Sequence, residues 1–142
     1  MGNISIVTAF FDIGRETWTQ DKGLPHYLYR PLQTYFDRFA NMAELDNEMV
    51  IFTSKDLVDK VWEYRKGKED RTIVAEVDFA DEFKELRLAI ATIQTNPDYQ
   101  KMISPYQVRN PEYWSPDYVL VNMLKSHFVN RAISNGFATK EL

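Results

Sequence analysis

Apolar residues fall along this chain in short runs, and between the runs they recur at helical spacing. The first run, Ile4 to Phe11, is broken only by Ser5 and Thr8. Apolar character at nearly every position predicts a strand covered on both faces, at the centre of a sheet. Asp12, Gly14 and Arg15 follow at once. Residues Glu16 to His26 are polar and contain Gly23 and Pro25. They predict a loop of about ten residues, longer than most connections. Trp18 inside it is either a plug over the core or a functional side chain. From Pro31, a residue suited to the first helical position, Leu32, Tyr35, Phe36, Phe39 and Ala43 mark one face of a helix. Gln33, Asp37 and Arg38 mark its outer face.

Acidic residues from Glu44 to Glu48 predict a turn, and Met49 to Thr53 a second buried strand. Ser54 is placed to cap a helix bearing Leu57, Val58, Val61 and Trp62 on one side, with Gly67 at its end. Thr72 to Phe79 predicts a third strand. Glu76 and Asp78 share one of its faces and suit either a divalent cation or a solvated strand end. A helix from Asp81 carries Phe83, Leu86, Ile90 and Ile93 at helical spacing. Pro97, Pro105 and Pro111 then preclude a continuous helix between Asn96 and Trp114. Tyr99, Tyr106, Tyr113 and Trp114 there suit a sugar site or a loop packed by its own aromatics. The last helix is signalled most strongly. Ser115 is its N-cap, Pro116 its first residue, and Asp117 complements its dipole. Val121, Leu124, Phe128 and Ala132 form its buried stripe, and Gly136 ends it. Tyr118, Asn122 and Lys125 fall on one edge beside that stripe. Lys125 held beside Asn122 suits a phosphate contact; the alternative is a solvated helix edge. Strands alternating with helices predict an α/β fold with a mainly parallel sheet, and 142 residues suit a single domain spanning 1–142.

Composition narrows the chemistry. With no Cys and only His26 and His127, the chain offers no thiolate nucleophile, no disulfide and no Cys- or His-rich metal site. A net charge of −4 argues against nucleic acid as a partner. No apolar stretch is long enough to cross a bilayer and no leader pattern opens the chain, so a cytoplasmic location is expected. In an open α/β sheet, ligands bind beyond the carboxyl ends of the strands. That rule directs attention to Asp12 and Arg15.

Four stretches carry a resemblance. They are Ile6 to Arg15 (IVTAFFDIGR), Tyr35-Phe36, the strand ending Phe52-Thr53, and Tyr118 to Val129 (YVLVNMLKSHFV). Together they are similar to the HtrL/YibB (WlaTC) family of bacterial proteins, over almost the whole chain. Members of that family resemble GT-A glycosyltransferases and are associated with lipopolysaccharide and other surface glycans. The resemblance implies a GT-A-like (Rossmann-like) three-layer fold, of which this chain resembles the N-terminal, nucleotide-binding half. It implies a nucleotide sugar as partner, UDP-linked, with Thr8, Ala9 and Phe10 lining the base and Asp12 and Arg15 close by. Lys125 is implied to meet the diphosphate, with Asn122 one turn earlier; Arg109 is a further candidate cation. Full-length GT-A enzymes hold Mn²⁺ or Mg²⁺ on an acidic motif, often Asp-x-Asp. None occurs here, and the implied expectation is a chain that binds without catalysing. No general base or acceptor site is identifiable. A rival expectation is an interaction module that associates with itself through an exposed sheet edge.

Overall fold

The structure is a computed structural model and describes residues 4–138. Three strands, β1 (Ile6–Phe10), β2 (Met49–Thr53) and β3 (Thr72–Glu76), form a parallel sheet in the order β1-β2-β3. Helix α1 (Leu32–Ala43) crosses from β1 to β2, and α2 (Val58–Tyr64) from β2 to β3. Beyond β3 come α3 (Phe79–Glu82), α4 (Lys84–Thr95), α5 (Pro97–Lys101) and α6 (Pro116–Ser134).

The α/β expectation holds, but the position of the first strand does not. β2 is central, with all five residues buried, and β1 is at the edge. Both faces of β1 are covered, which explains its apolar run. Phe10 stacks on Phe39 of α1 at 4.7 Å, while Val7 and Ala9 pack with the α6 cluster on the other side. Apolar patterning reports cover on the faces of a strand and is silent about its edges.

The two faces carry separate cores. One joins Phe10, Met49 and Ile51 to Phe39 and Ala43 of α1 and to Leu57 and Val61 near α2. The other joins Val50 and Phe52 to Ile90 of α4 and to Leu120, Leu124, Phe128 and Ala132 of α6. Phe52 stacks on Phe128 at 4.7 Å. On α6 the buried stripe begins at Leu120; Val121 is only half-buried, at its border. Ser115 caps the helix as expected, its hydroxyl accepting from the Tyr118 N–H at 3.2 Å.

Several boundaries shift. The predicted loop from Glu16 holds successive 3-10 turns at Arg15–Thr17, Gln20–Lys22 and His26–Leu28. Ser54 starts a 3-10 turn, Lys55–Leu57, and its side chain makes no capping bond. Trp62 is off the buried stripe of α2. β3 ends at Glu76 because Asp78 turns away to cap α3, its carboxylate accepting from the Asp81 N–H at 3.1 Å. The α4 stripe is rotated from the predicted one. Ile90 and Gln94 are buried, while Leu86 and Ile93 are exposed. The rotation brings the Gln94 amide to donate to the Glu112 carbonyl at 3.0 Å, and an Arg87–Asp117 ion pair at 2.7 Å ties α4 to α6.

Arg65, just past α2, is fully buried and lies in the cluster of neither face. Its guanidinium donates to the carbonyls of Ala43 (2.9 Å), Leu45 (2.7 Å) and Asn47 (3.1 Å) and to the Thr72 hydroxyl (2.8 Å). It thereby pins the α1–β2 turn to the start of β3. Desolvation lowers its pKa from the usual arginine value, with Arg71 adding to the effect and Asp46 and Asp70 opposing it. No helix among the described residues is long and apolar enough to cross a membrane.

Candidate functional site

Beyond Phe10 the chain turns sharply at the carboxyl end of β1. Gly14 takes φ +78°, a backbone region that side chains disfavour, and its N–H donates to Asp12 Oδ1 at 2.8 Å. Arg15 is held on two sides. Its Nε donates to the Leu28 carbonyl at 2.9 Å, and its guanidinium lies 5.5 Å from the centre of the Trp18 ring. Trp18 is buried and meets Trp114 edge-on at 4.9 Å, with Tyr118 at 6.5 Å. It is the plug between the 15–28 segment and the start of α6.

These turns border a cavity of about 300 Å³. Ala9, Phe10 and Phe11 form its base, and Leu32 and Tyr35 from the first turn of α1 form one wall. Tyr118, Val121, Asn122 and Lys125 from α6 form the other, with Asp12, Ile13 and Arg15 at the rim. Ala9, Phe10, Asp12, Arg15, Asn122 and Lys125 therefore come together as the sequence suggested. Thr8 does not. It lines a separate groove of about 220 Å³ with Val7, Ala9, Val121, Lys125, Phe128 and Val129. Thr8 lies two residues back from the end of β1, below the cavity. Arg109 does not line the cavity either. It is exposed, and its carbonyl accepts from the Trp114 indole N–H at 2.8 Å. The Tyr-rich segment packs on itself in part, through Tyr99 and Tyr113, while Tyr106 is exposed.

Charge is unbalanced at this cavity. Among the described residues, neither Arg15 nor Lys125 has a carboxylate within 4.0 Å, although six other ion pairs occur. Asn122 uses its amide N–H to reach the Tyr118 carbonyl at 2.9 Å, which leaves its oxygen as an acceptor. The arrangement suits an anion with an aromatic or apolar body.

Asp12 also borders a second cavity of about 420 Å³, with Asp56, Glu76 and Asp78. These carboxylates do not fit a metal centre: among the described residues no three acidic or His side chains converge on one point. Asp12 and Asp78 are also engaged by backbone N–H groups.

A family model described as "Bacterial protein of unknown function (HtrL_YibB)" matches residues 2–142. The chain belongs to the HtrL/YibB family. Protein HtrL of Escherichia coli (strain K12) is 45% identical over 138 residues, 97% of this chain and 48% of its own length. The chain thus spans about half the length of that curated relative. No solved structure matches it.

Leu32, Tyr35, Tyr118 and Val121 line the cavity but were not read as site residues from the sequence. For α1 the signal was topological. A helix that follows a strand begins at that strand's carboxyl end, so its first turn borders any ligand there. Tyr35 looked like core because its spacing matched the buried stripe.

Proposed function

We propose that this HtrL/YibB-family chain binds a nucleotide sugar, as the nucleotide-binding half of a GT-A-like glycosyltransferase acting in bacterial surface-glycan or lipopolysaccharide synthesis. The observation that carries the reading is the convergence on one cavity, over a Phe10 base and beside the Leu32 and Tyr35 wall, of Arg15 and Lys125, two cations with no carboxylate partner among the described residues. In this reading the base enters between β1 and α1, where Tyr35 offers a ring face. The diphosphate lies between Arg15 and Lys125, whose N–H groups supply charge-assisted hydrogen bonds. The Asn122 oxygen and Asp12 accept from ribose or sugar hydroxyls. A departing nucleoside diphosphate carries the charge that develops in glycosyl transfer, so the same cations would stabilise leaving-group departure. Among the described residues the acidic side chains do not form a metal site, and no metal-assisted step is assigned to them.

Isothermal titration with UDP, other nucleoside diphosphates and their sugar conjugates tests the reading. Binding is expected in the micromolar range. Uridine without phosphates should bind at least tenfold more weakly, and Lys125→Ala should remove most of that difference. If no nucleotide binds below millimolar concentration, or if uridine and UDP bind alike, the reading fails.

A further inference from the structure

The free edge of β1 has the form of an unfilled strand position. The Ile6 N–H donates to the Glu48 carbonyl, and the Phe10 carbonyl accepts from Thr53 Oγ1, so even-numbered residues of β1 face β2. In a parallel ladder the alternate residues point the other way. The N–H and C=O groups of Val7 and Ala9 are therefore directed at the open side. That side is a groove of about 220 Å³, with the edge of β1 on one flank and Val121, Phe128 and Val129 of α6 on the other. Val129 is 42% exposed, although it sits above a strand edge. A row of backbone groups without partners among the described residues, beneath an apolar helix face, is what an added strand requires.

Two observations select the occupant. The first is direction. α6 begins beside the carboxyl end of β1, where Tyr118 lines the cavity, and beyond it Phe137 lines a cleft shared with Glu48, Met49 and Thr72 at the amino ends of β2 and β3. Polypeptide leaving α6 is thus at the end where a parallel strand must start. The helices α1 and α2 cover one face and α6 the other, so a strand laid beside β1 after α6 completes a right-handed crossover. The second observation is length. The chain matches only 48% of protein HtrL.

We propose that the free edge of β1 receives an extended segment parallel to β1, drawn from the part of longer family members that lies outside the region matched here. The segment pairs with Val7 and Ala9 and places alternate apolar side chains against Val121 and Val129. The proposal is independent of the nucleotide reading.

Amide hydrogen exchange tests it by comparing the 142-residue chain with a chimera in which this chain replaces the matched half of protein HtrL. In the chain alone, Val7 and Ala9 should exchange fast while Thr8 and Ile51 are protected. In the chimera, Val7 and Ala9 should slow by at least a hundredfold. Val129→Asp in the chimera should restore fast exchange at both while Ile51 stays protected. The proposal is overturned if Val7 and Ala9 stay fast in a chimera whose Ile51 is protected. It is equally overturned if they are protected in the isolated monomer, or if their protection rises with the concentration of the isolated chain, which marks pairing with a second copy. Protein HtrL itself, full-length and cut to its matched half, provides the same comparison at the positions aligned with Val7 and Ala9 should the chimera not fold.

Discussion

Replacing Arg65 by Met removes the guanidinium and keeps most of the side-chain volume. Four hydrogen bonds are lost. Two of them, to the Ala43 carbonyl and the Thr72 hydroxyl, are buried, so their acceptors cannot turn to water. Leaving the Ala43 carbonyl without this partner costs about 1–3 kcal/mol; the Thr72 hydroxyl keeps its bond to the Lys68 carbonyl, so losing its Arg65 bond costs about 1–2 kcal/mol. The bonds to Leu45 and Asn47 are only partly buried, and water can replace them, so each adds at most about 0.5–1 kcal/mol. Burying Met instead of a desolvated charge returns some of this, since apolar replacements of buried charges can be favourable. The net expectation is a loss of roughly 3–4 kcal/mol, a large share of the ~5–15 kcal/mol by which domains are stable. Urea unfolding followed by Trp fluorescence should show the midpoint falling by about 1.5–2 M, given a slope near 2 kcal/mol per M. Lys66→Met, an exposed neighbour, should stay within about 0.5 kcal/mol of the parent. A midpoint for Arg65→Met within about 0.5 M of the parent would refute the reasoning. The carbonyls around the guanidinium would then be hydrated, and the turn before β2 would not depend on it.

Other expectations follow from single residues. Gly14→Ala forces a side chain into φ +78° and should lower stability by about 1–2 kcal/mol; it should also weaken ligand binding, because the Gly14 N–H orients Asp12. Ser115→Ala removes the cap of α6 and should cost about 1 kcal/mol in the same urea assay, with Ser115→Asp recovering most of it. Glu69 has its pKa lowered by its own backbone N–H and by that of Gly67. A carboxylate more acidic when folded than when unfolded stabilises the fold above its unfolded pKa and loses that contribution as pH falls through its folded pKa. The urea midpoint should therefore drop between about pH 5 and pH 3, and Glu69→Gln should flatten part of that drop.

Much of this fold is legible in the chain because faces leave periodic marks. The five buried residues of β2, the Phe39 and Ala43 side of α1 and the Ser115-Pro116 start of α6 all follow from spacing and capping chemistry. What was misread depends on partners distant in sequence. Leu86 and Ile93 have the right spacing for a core stripe, but Gln94 is drawn inward by the carbonyl of Glu112, and α4 turns with it. The edge position of β1 leaves no mark in its own residues. That Asp12, Arg15 and Lys125 border one cavity is legible because strand ends and helix edges have fixed geometry. Tyr35 was missed because a residue can follow the core periodicity and still face an opening at the end of its helix. Thr8, which the resemblance also implied, lies one residue back from the cavity lining and borders the neighbouring groove instead.

The unequal tethering of the two cations has a thermodynamic consequence. Arg15 is clamped between a carbonyl and an indole face before any ligand arrives, so its rotamer freedom was lost when the chain folded. Lys125 is exposed and forms no ion pair among the described residues, so it must be immobilised at the moment of encounter. If the proposed nucleotide reading holds, the arginine serves as a rigid template for anion geometry and the lysine as an adaptable counter-charge whose contribution fades with added salt.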